Sequence, residues 1–206
     1  MENKSIKEFS ELTASKSPVP GGGGVCANIG ALAAALGEMV TNLTIGKSKY
    51  ISFTDELEDI KKELELIRCN LLSCINGDAK AFEPLAKAYA MSKDEEGYYE
   101  NLEKCLRQAA DSPMMILKYC KRIIELDERL AVIGSKLSVS DAATSVMIAH
   151  GCLYGAYVNI LVNTRLMKDQ EYALRMNKEA IEIVDKYSVK ALNIFDNICK
   201  RLTDNG

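Results

Sequence analysis

The sequence has little of several residue types that mark particular classes of protein. It contains one histidine and no tryptophan, and its 26 basic residues are outnumbered by 29 acidic ones, which gives a net charge of −3. A general nucleic-acid surface carries a strong basic excess, so this composition argues against nucleic acid as a partner. The opening residues, Met1–Ser5, are too polar for a signal peptide. We therefore predict a cytoplasmic protein.

Cysteine is present, but its spacing is not that of a metal site. The seven cysteines are odd in number and include no Cys-x-x-Cys pair. Because His150 is the only histidine, a zinc site of ordinary spacing is not expected, and we predict no metal. Reduced and mostly buried thiols are the expectation for a cytoplasmic protein.

The sequence also lacks the alternating pattern that predicts strands, and its periodicity is helical almost throughout. A capping box of Ser5 and Glu8 predicts the start of the first helix. Ser112-Pro113 predicts another start, because proline is common at the first helical position after a capping serine. With this boundary, the pattern indicates an all-α bundle of about seven helices in a single domain, residues 1–206.

Two apolar stretches, 25–45 and 139–162, are long enough to raise the question of a membrane span. Glu38 interrupts the first and Asp141 the second, and such residues are costly within a bilayer. We therefore predict buried bundle helices and no membrane partner. The second stretch is apolar nearly all round, which is typical of a long buried central helix or of a helix buried at a subunit interface.

A run of prolines and glycines, Pro18-Val19-Pro20-Gly21-Gly22-Gly23-Gly24, leads directly into the first of these helices. The prolines favour extended backbone, and the glycines allow close approaches that a Cβ would block. At a helix N-terminus, unpaired N–H groups and the helix dipole favour an anionic or electron-rich group. The run is therefore a ligand-binding loop, a flexible turn or the site of a close helix crossing.

Five further motifs follow this run in order: Asn42-Leu43-Thr44-Ile45-Gly46-Lys47, Asp78-Ala79-x-x-Phe82, Ala110-x-x-Pro113, Ser140-Asp141 and Asn159-x-x-x-Asn163. Together with the glycine run, they make the chain from about residue 8 to about residue 170 resemble the formiminotransferase-cyclodeaminase family, in its cyclodeaminase/cyclohydrolase domain. The family usually has serine where this sequence has Gly24, so any role of that hydroxyl is absent here.

The resemblance implies an enzyme of folate one-carbon metabolism. As a formiminotetrahydrofolate cyclodeaminase, it would let N10 of 5-formiminotetrahydrofolate attack the formimino carbon, with release of ammonia and formation of 5,10-methenyltetrahydrofolate. As a methenyltetrahydrofolate cyclohydrolase, it would hydrolyse 5,10-methenyltetrahydrofolate to 10-formyltetrahydrofolate. Neither reaction requires a metal or redox cofactor, since the tetrahydrofolate derivative is the substrate. A catalytically silent folate-binding helical protein is the third possibility.

Carried over motif by motif, the resemblance makes Asp141 and Asp78 the candidate catalytic carboxylates. Asp141 is favoured because the neighbouring Ser140 adds a hydroxyl. Each also has a structural explanation, because an acid near a helix start is favoured by the dipole or as a cap. Asp141 precedes Asn159 by five helical turns, so the two share a face but lie roughly 27 Å apart. Either one of them is structural, or an antiparallel helix of a second subunit brings the distant ends together.

Nine residues are predicted to bind substrate: Pro20, Gly21, Gly22, Gly23, Asn42, Lys47, Ser140, Asn159 and Asn163. The two amides at 159 and 163 share a helical face. They either hydrogen-bond to other helices in the core or recognise the pteridine edge of folate. Lys47 is either a solvated surface charge or a partner for the carboxylates of a folate tail. The apolar helices need more burial than one small subunit supplies, so we predict a homodimer or a dimer-based oligomer.

Overall fold

The computed structural model describes residues 1–204 of the chain. These residues form six α-helices and a short 3-10 helix, and no strand occurs among them. The elements are α1 (Ile6–Thr13), α2 (Gly22–Asn42), the 3-10 helix (Ser48–Phe53), α3 (Thr54–Ala90), α4 (Tyr98–Ile133), α5 (Val139–Thr164) and α6 (Gln170–Thr203). The predicted all-α class is confirmed.

The predicted count of about seven helices is one too high, because α4 continues through Pro113. Proline lacks an N–H, so it leaves the carbonyl four residues earlier without its helical donor. In this fold the side-chain Nδ2 of Asn163, on α5, donates to that carbonyl, Ala109 O, at 3.2 Å. The helix start predicted at Ser112-Pro113 is therefore wrong, since a neighbouring helix supplies the donor that proline removes.

Four helices form a layer in the order α3, α2, α5, α6, and α4 lies across one side of that layer in contact with all four. Neighbouring helices of the layer run antiparallel, as the pairs Gly24–Asp78 and Ser145–Ala33 show. The helix after Ser140 is not the buried central helix that its composition predicts. α4 covers only one side of α5, and on the other side Val158 is 55% exposed.

The small residues of α2 allow its neighbours to approach closely. Ala27, Ala31 and Ala34 are buried along its length. At Gly37, a Cβ would lie 2.8 Å from Leu64 Cδ1 on α3 and 3.0 Å from Asp127 Oδ1 on α4. Glycine is required there because both neighbouring helices already occupy the space that a side chain would need.

By length and composition alone, α2 and α5 are each apolar enough to cross a membrane. Within the bundle, 56% of the apolar window of α2 is buried, and the corresponding share for α5 is 39%. Glu38 of α2 accepts from two nitrogens of the Arg68 guanidinium on α3, Nε at 2.5 Å and Nη2 at 3.2 Å. The helices thus pack inward on one side and carry uncovered apolar residues on the other.

Candidate active site

The glycine run forms the N-terminus of α2, with Gly21 as its N-cap in an extended conformation and no side-chain cap. A Cβ on Gly22 would lie 3.0 Å from Asn159 Nδ2, and a Cβ on Gly23 would collide with the Asp78 carboxylate. The glycines therefore let a helix N-terminus come into direct contact with polar side chains of α3 and α5. This contact supports a specific packing role for the run rather than a flexible turn.

Asp78 lies well inside α3, not at a helix start, and its carboxylate points at the N-terminus of α2. The backbone N–H of Gly24 donates to Asp78 Oδ2 at 3.1 Å. Burial raises the pKa of Asp78 above its ordinary value, and the Gly24 hydrogen bond opposes that shift. A carboxyl whose pKa moves toward neutrality can both accept and return a proton.

The side-chain amides of Asn159 and Asn163, both on α5, have different hydrogen-bond partners. Asn159 Nδ2 donates to Gly155 O at 2.7 Å, which leaves its amide oxygen as an acceptor beside Gly22. Asn163 Nδ2 donates to Asn159 O at 2.9 Å as well as to Ala109 O. One N–H of Asn163 therefore holds α5 to α4 and the other bonds within α5, whereas Asn159 faces the N-terminus of α2.

These groups surround a cleft of about 230 Å³. Its lining residues are Pro18, Val19, Gly21, Gly22, Gly23, Asp78, Ala81, Phe82, Leu85, Tyr89, Ala109, Asn159, Val162 and Asn163. Asp78 is the one ionisable carboxylate among them, and none of them is a lysine or an arginine. The cleft can therefore hold an apolar, flat group beside a single, partly buried acid.

Sequence reasoning did not select the apolar wall of this cleft, which is formed by Phe82, Leu85 and Tyr89 of α3. The signal was present, because these positions follow Asp78 at intervals of four, seven and eleven residues and so share its helical face. The same periodicity fits a helix face packed in the core equally well. Only the position of the glycine loop shows that this face lines a cleft.

The structure separates the predicted site residues into two groups. Asn42, Lys47, Ser140 and Asp141 lie at the opposite end of the antiparallel α2/α5 pair, where α2 ends and α5 begins. There the Lys47 ammonium donates to Ser135 Oγ at 3.0 Å, and Asp141 occupies the first turn of α5. Within one protomer, these four residues do not meet the cleft.

The remaining predicted residue, Pro20, is buried behind the loop, where its Cβ lies 3.2 Å from the position that a Cβ on Gly24 would take. A serine at position 24 would also stand 3.8 Å from Asp78 Oδ2, measured from its Cβ. The departure from the family pattern therefore removes a hydroxyl next to the cleft carboxylate.

Four free cysteines lie in the bundle beneath the cleft: Cys26, Cys74, Cys120 and Cys152. Burial raises the pKa of Cys26 to about 11, so its thiol stays protonated at neutral pH. Within residues 1–204, no three histidine, cysteine or acidic side chains are grouped so as to hold a metal ion.

A buried carboxyl that the sequence analysis missed is Asp127 of α4, which is fully inaccessible. Ser145 Oγ lies 2.5 Å from Asp127 Oδ2 and 2.8 Å from Ala33 O, while Asp127 Oδ1 has no hydrogen-bond partner in the described structure. Burial raises the pKa of Asp127 to about 8. The single proton of the Ser145 hydroxyl cannot be donated to Ala33 O and to Asp127 Oδ2 at once. A neutral Asp127 that donates to Ser145 Oγ, while Ser145 donates to Ala33 O, satisfies the arrangement.

A larger cavity, of about 760 Å³, lies on the outer side of α4 between Tyr98 and Asp169. Three of its charged side chains pair with one another, because Arg107 bridges Glu103 and Asp169, and the Lys168 ammonium lies over the Tyr99 ring. It contains none of the predicted residues. The smaller cleft is therefore the candidate active site.

The described residues define an all-α protein with a cleft between three helices. In this cleft the glycines at the N-terminus of α2 contact an acid of α3 and an amide of α5. Comparison with known proteins gives it a family. The family model for formiminotransferase-cyclodeaminase matches residues 5–182, and the chain belongs to this family.

Relatives and a solved structure agree with this assignment. The chain is 36% identical to a methenyltetrahydrofolate cyclohydrolase of Methylorubrum extorquens, over 86% of this chain and 87% of the relative. It is 24% identical to the formimidoyltransferase-cyclodeaminase of Sus scrofa, of which it spans only 37%. The crystal structure of a formiminotetrahydrofolate cyclodeaminase from Thermotoga maritima matches with a TM-score of 0.85 and 31% identity, covering 96% of this chain and 98% of that one.

Proposed function

We propose that this protein is an enzyme of folate one-carbon metabolism, a formiminotetrahydrofolate cyclodeaminase. The observation that carries the proposal is Asp78, a partly buried carboxyl beside the N-terminus of α2 in a cleft lined by no other charged side chain. The Thermotoga maritima protein, whose fold matches over nearly the whole of both chains, is a formiminotetrahydrofolate cyclodeaminase.

In this reaction, Asp78 transfers protons between the two nitrogens of the one-carbon unit. With the formimino nitrogen protonated (=NH₂⁺), N10 of 5-formiminotetrahydrofolate attacks the formimino carbon and gives its own proton to the Asp78 carboxylate. The carboxyl then returns that proton to the amino nitrogen, which leaves as ammonia, and 5,10-methenyltetrahydrofolate remains. A raised pKa suits both steps, because the group must be basic enough to take the proton and acidic enough to release it.

The rest of the cleft holds the substrate in the folded conformation that lets N10 reach the carbon, which is a proximity task. The amide oxygen of Asn159 accepts from the donors on the pteridine edge. Phe82 and Tyr89 provide flat apolar surface for the ring system. Metal and redox cofactors have no part in this scheme, so turnover is expected to be unchanged by a chelator.

A second candidate, methenyltetrahydrofolate cyclohydrolase, is favoured by a specific observation. The relative with that name is 36% identical and matches along 87% of its own length, whereas the bifunctional relative from Sus scrofa is matched over little more than a third. In this reaction Asp78 would activate water for attack on the methenyl carbon and then protonate the nitrogen that leaves.

One paired experiment separates these activities. Ammonia release from 5-formiminotetrahydrofolate and hydrolysis of 5,10-methenyltetrahydrofolate are measured side by side, with and without a chelator. Release of ammonia supports the cyclodeaminase, and hydrolysis alone supports the cyclohydrolase. If the protein binds folate but turns over neither substrate, it is a silent folate-binding protein and both proposals are wrong.

We also propose that the protein acts as a two-fold homodimer in the cytoplasm. The outward face of α2 and α5 supports the dimer, since its apolar side chains are uncovered in one chain. Light scattering at micromolar concentration is expected to return about twice the 22.7 kDa of one chain. A stable monomer would contradict the dimer.

A further inference from the structure

We propose that a second copy of this chain completes the candidate active site, by placing its Lys47–Asp141 end against the cleft of the first. The cleft in one protomer is incomplete in two respects. Its volume of about 230 Å³ is below the roughly 300–1,000 Å³ of sites that enclose a small molecule. Its lining also includes no lysine or arginine, although a folate carries carboxylates on its tail.

The surface that would receive the second copy is the outward face of the α2/α5 pair, on the side away from α4. Six large apolar side chains on this face are 43–55% exposed. They are Leu32 and Met39 on α2, Leu43 directly after it, and Tyr154, Val158 and Val162 on α5. Two neighbouring helices of this length present a face of about 30 by 20 Å, or about 600 Å². That is close to the ~800 Å² that each partner buries in a stable interface.

The positions of the site residues select one symmetry axis for this interface. His150 is nine residues from both Asp141 and Asn159, and Leu32 is ten residues from both Gly22 and Asn42. A two-fold axis that passes through these midpoints, perpendicular to the helices, reverses the direction of α2 and α5 in the second copy. It therefore places the Lys47–Asp141 end of each copy against the cleft end of the other. An axis parallel to the helices would keep the two groups of site residues apart.

The backbone at the midpoint of α5 permits the close approach that this axis requires. Gly151 is exposed, and a Cβ built on it would meet nothing within 4 Å. Its lack of a side chain leaves a flat place where two antiparallel α5 helices can cross. Val162 both lines the cleft and belongs to the exposed face, so the cleft opens onto the interface.

The assembled site has the groups that one protomer lacks. Lys47 of the partner subunit brings a cation to the mouth of the cleft, where it pairs with a carboxylate of the ligand. The partner's Asp141 lies within the same composite site as Asp78 and Asn159. Asp141 and Asn159 of one helix lie ~27 Å apart. Because the axis reverses the second α5, the partner's Asp141 comes to the end of the first α5 that carries Asn159.

A cross-linking experiment tests the axis without any folate activity. Gly151→Cys is compared with Val189→Cys, which is exposed on α6 outside the face, both in a chain whose exposed Cys69 is replaced by serine. A short thiol cross-linker is expected to give a covalent dimer with Gly151→Cys only. A dimer that fails to cross-link at Gly151 overturns this axis, and so does a monomer that binds lipid vesicles through the same face.

A mixing experiment tests whether the site is composite, and it depends on the proposed function. Asp78→Asn and Asp141→Asn chains are each expected to be inactive as homodimers. Co-folded at equal amounts, they form heterodimers with one intact site, so about a quarter of the unmodified activity returns. No recovery, or full activity of the Asp141→Asn homodimer, overturns the contribution of Asp141. If the unmodified protein lacks both activities, the proposed function fails, and the cross-link still decides the axis.

Discussion

At the scale of single residues, the chemistry of the cleft depends on Asp78. Replacing it by asparagine preserves the size of the side chain but removes the group that takes and returns a proton. We expect turnover of Asp78→Asn to fall by about 10²- to 10⁴-fold with the helical spectrum unchanged. The pH profile of kcat/KM should also lose the limb that reports a carboxyl titrating above its ordinary range.

Asp111→Asn is the matched control, since Asp111 is a carboxylate of α4 outside the cleft whose pKa is likewise raised by partial burial. It should keep turnover near that of the unmodified protein. If Asp78→Asn keeps its turnover too, Asp78 is not the proton-transfer group.

Gly23 provides a second test at the same scale. A methyl group there would collide with the Asp78 carboxylate, so Gly23→Ala must displace either the helix N-terminus or the acid. A displacement of about 1 Å costs on the order of 100-fold in rate, and we expect a loss of that size without unfolding.

Gly77→Ala is the control for this substitution, because a Cβ on Gly77, in the same helix as Asp78, meets nothing within 4 Å. It should stabilise α3 by up to about 1 kcal/mol and leave turnover unchanged. Equal effects of the two alanines on turnover would show that the fit between Gly23 and Asp78 is unimportant.

At the scale of helices, α4 and α5 are joined by the contact that makes Pro113 tolerable. Asn163→Ala removes the donor to Ala109 O and should lower the free energy of unfolding by about 1–3 kcal/mol. Pro113→Ala restores a backbone N–H for the same carbonyl. In the Pro113→Ala background, Asn163→Ala should therefore cost less, and urea denaturation of the four proteins measures this coupling. Additive costs would show that the amide does not compensate for the proline.

At the scale of the whole molecule, Asp127 makes global stability depend on pH. Its pKa is about 8 in the folded protein against an ordinary value of 3.8, so between these values the folded state holds a proton that the unfolded state releases. Stability must then fall as pH rises through this window, by up to about 1.4 kcal/mol per pH unit from this group. Below the window both states are protonated, and above it both are ionised.

Asp127→Asn keeps a neutral side chain at every pH and should not show this slope. The difference in unfolding free energy between it and the unmodified protein, measured in urea from pH 5 to 8, isolates the contribution of Asp127. Parallel curves for the two proteins would mean that Asp127 is ionised in the folded state.

The sequence by itself determined the features that depend on neighbours along the chain. Helical periodicity predicted an all-α protein, the Ser5–Glu8 capping box is present as predicted, and the glycine run does open a helix. The ordered motifs also indicated the family. These signals survive in the sequence because backbone hydrogen bonds and side-chain faces of a helix repeat over three or four residues.

Only the tertiary structure decided which residues meet. Asp78 contacts Gly24 across 54 positions, and Asn163 compensates for Pro113 from another helix. Helix length already separates Asp141 from Asn159, but which end of α5 adjoins the cleft depends on packing, and so does the burial of Asp127. Such contacts depend on how helices pack against each other. The apolar composition of α5, for example, is compatible with a helix covered on all sides and with one that is exposed on one side. The position of α4, on one side of the layer only, makes α5 the uncovered one.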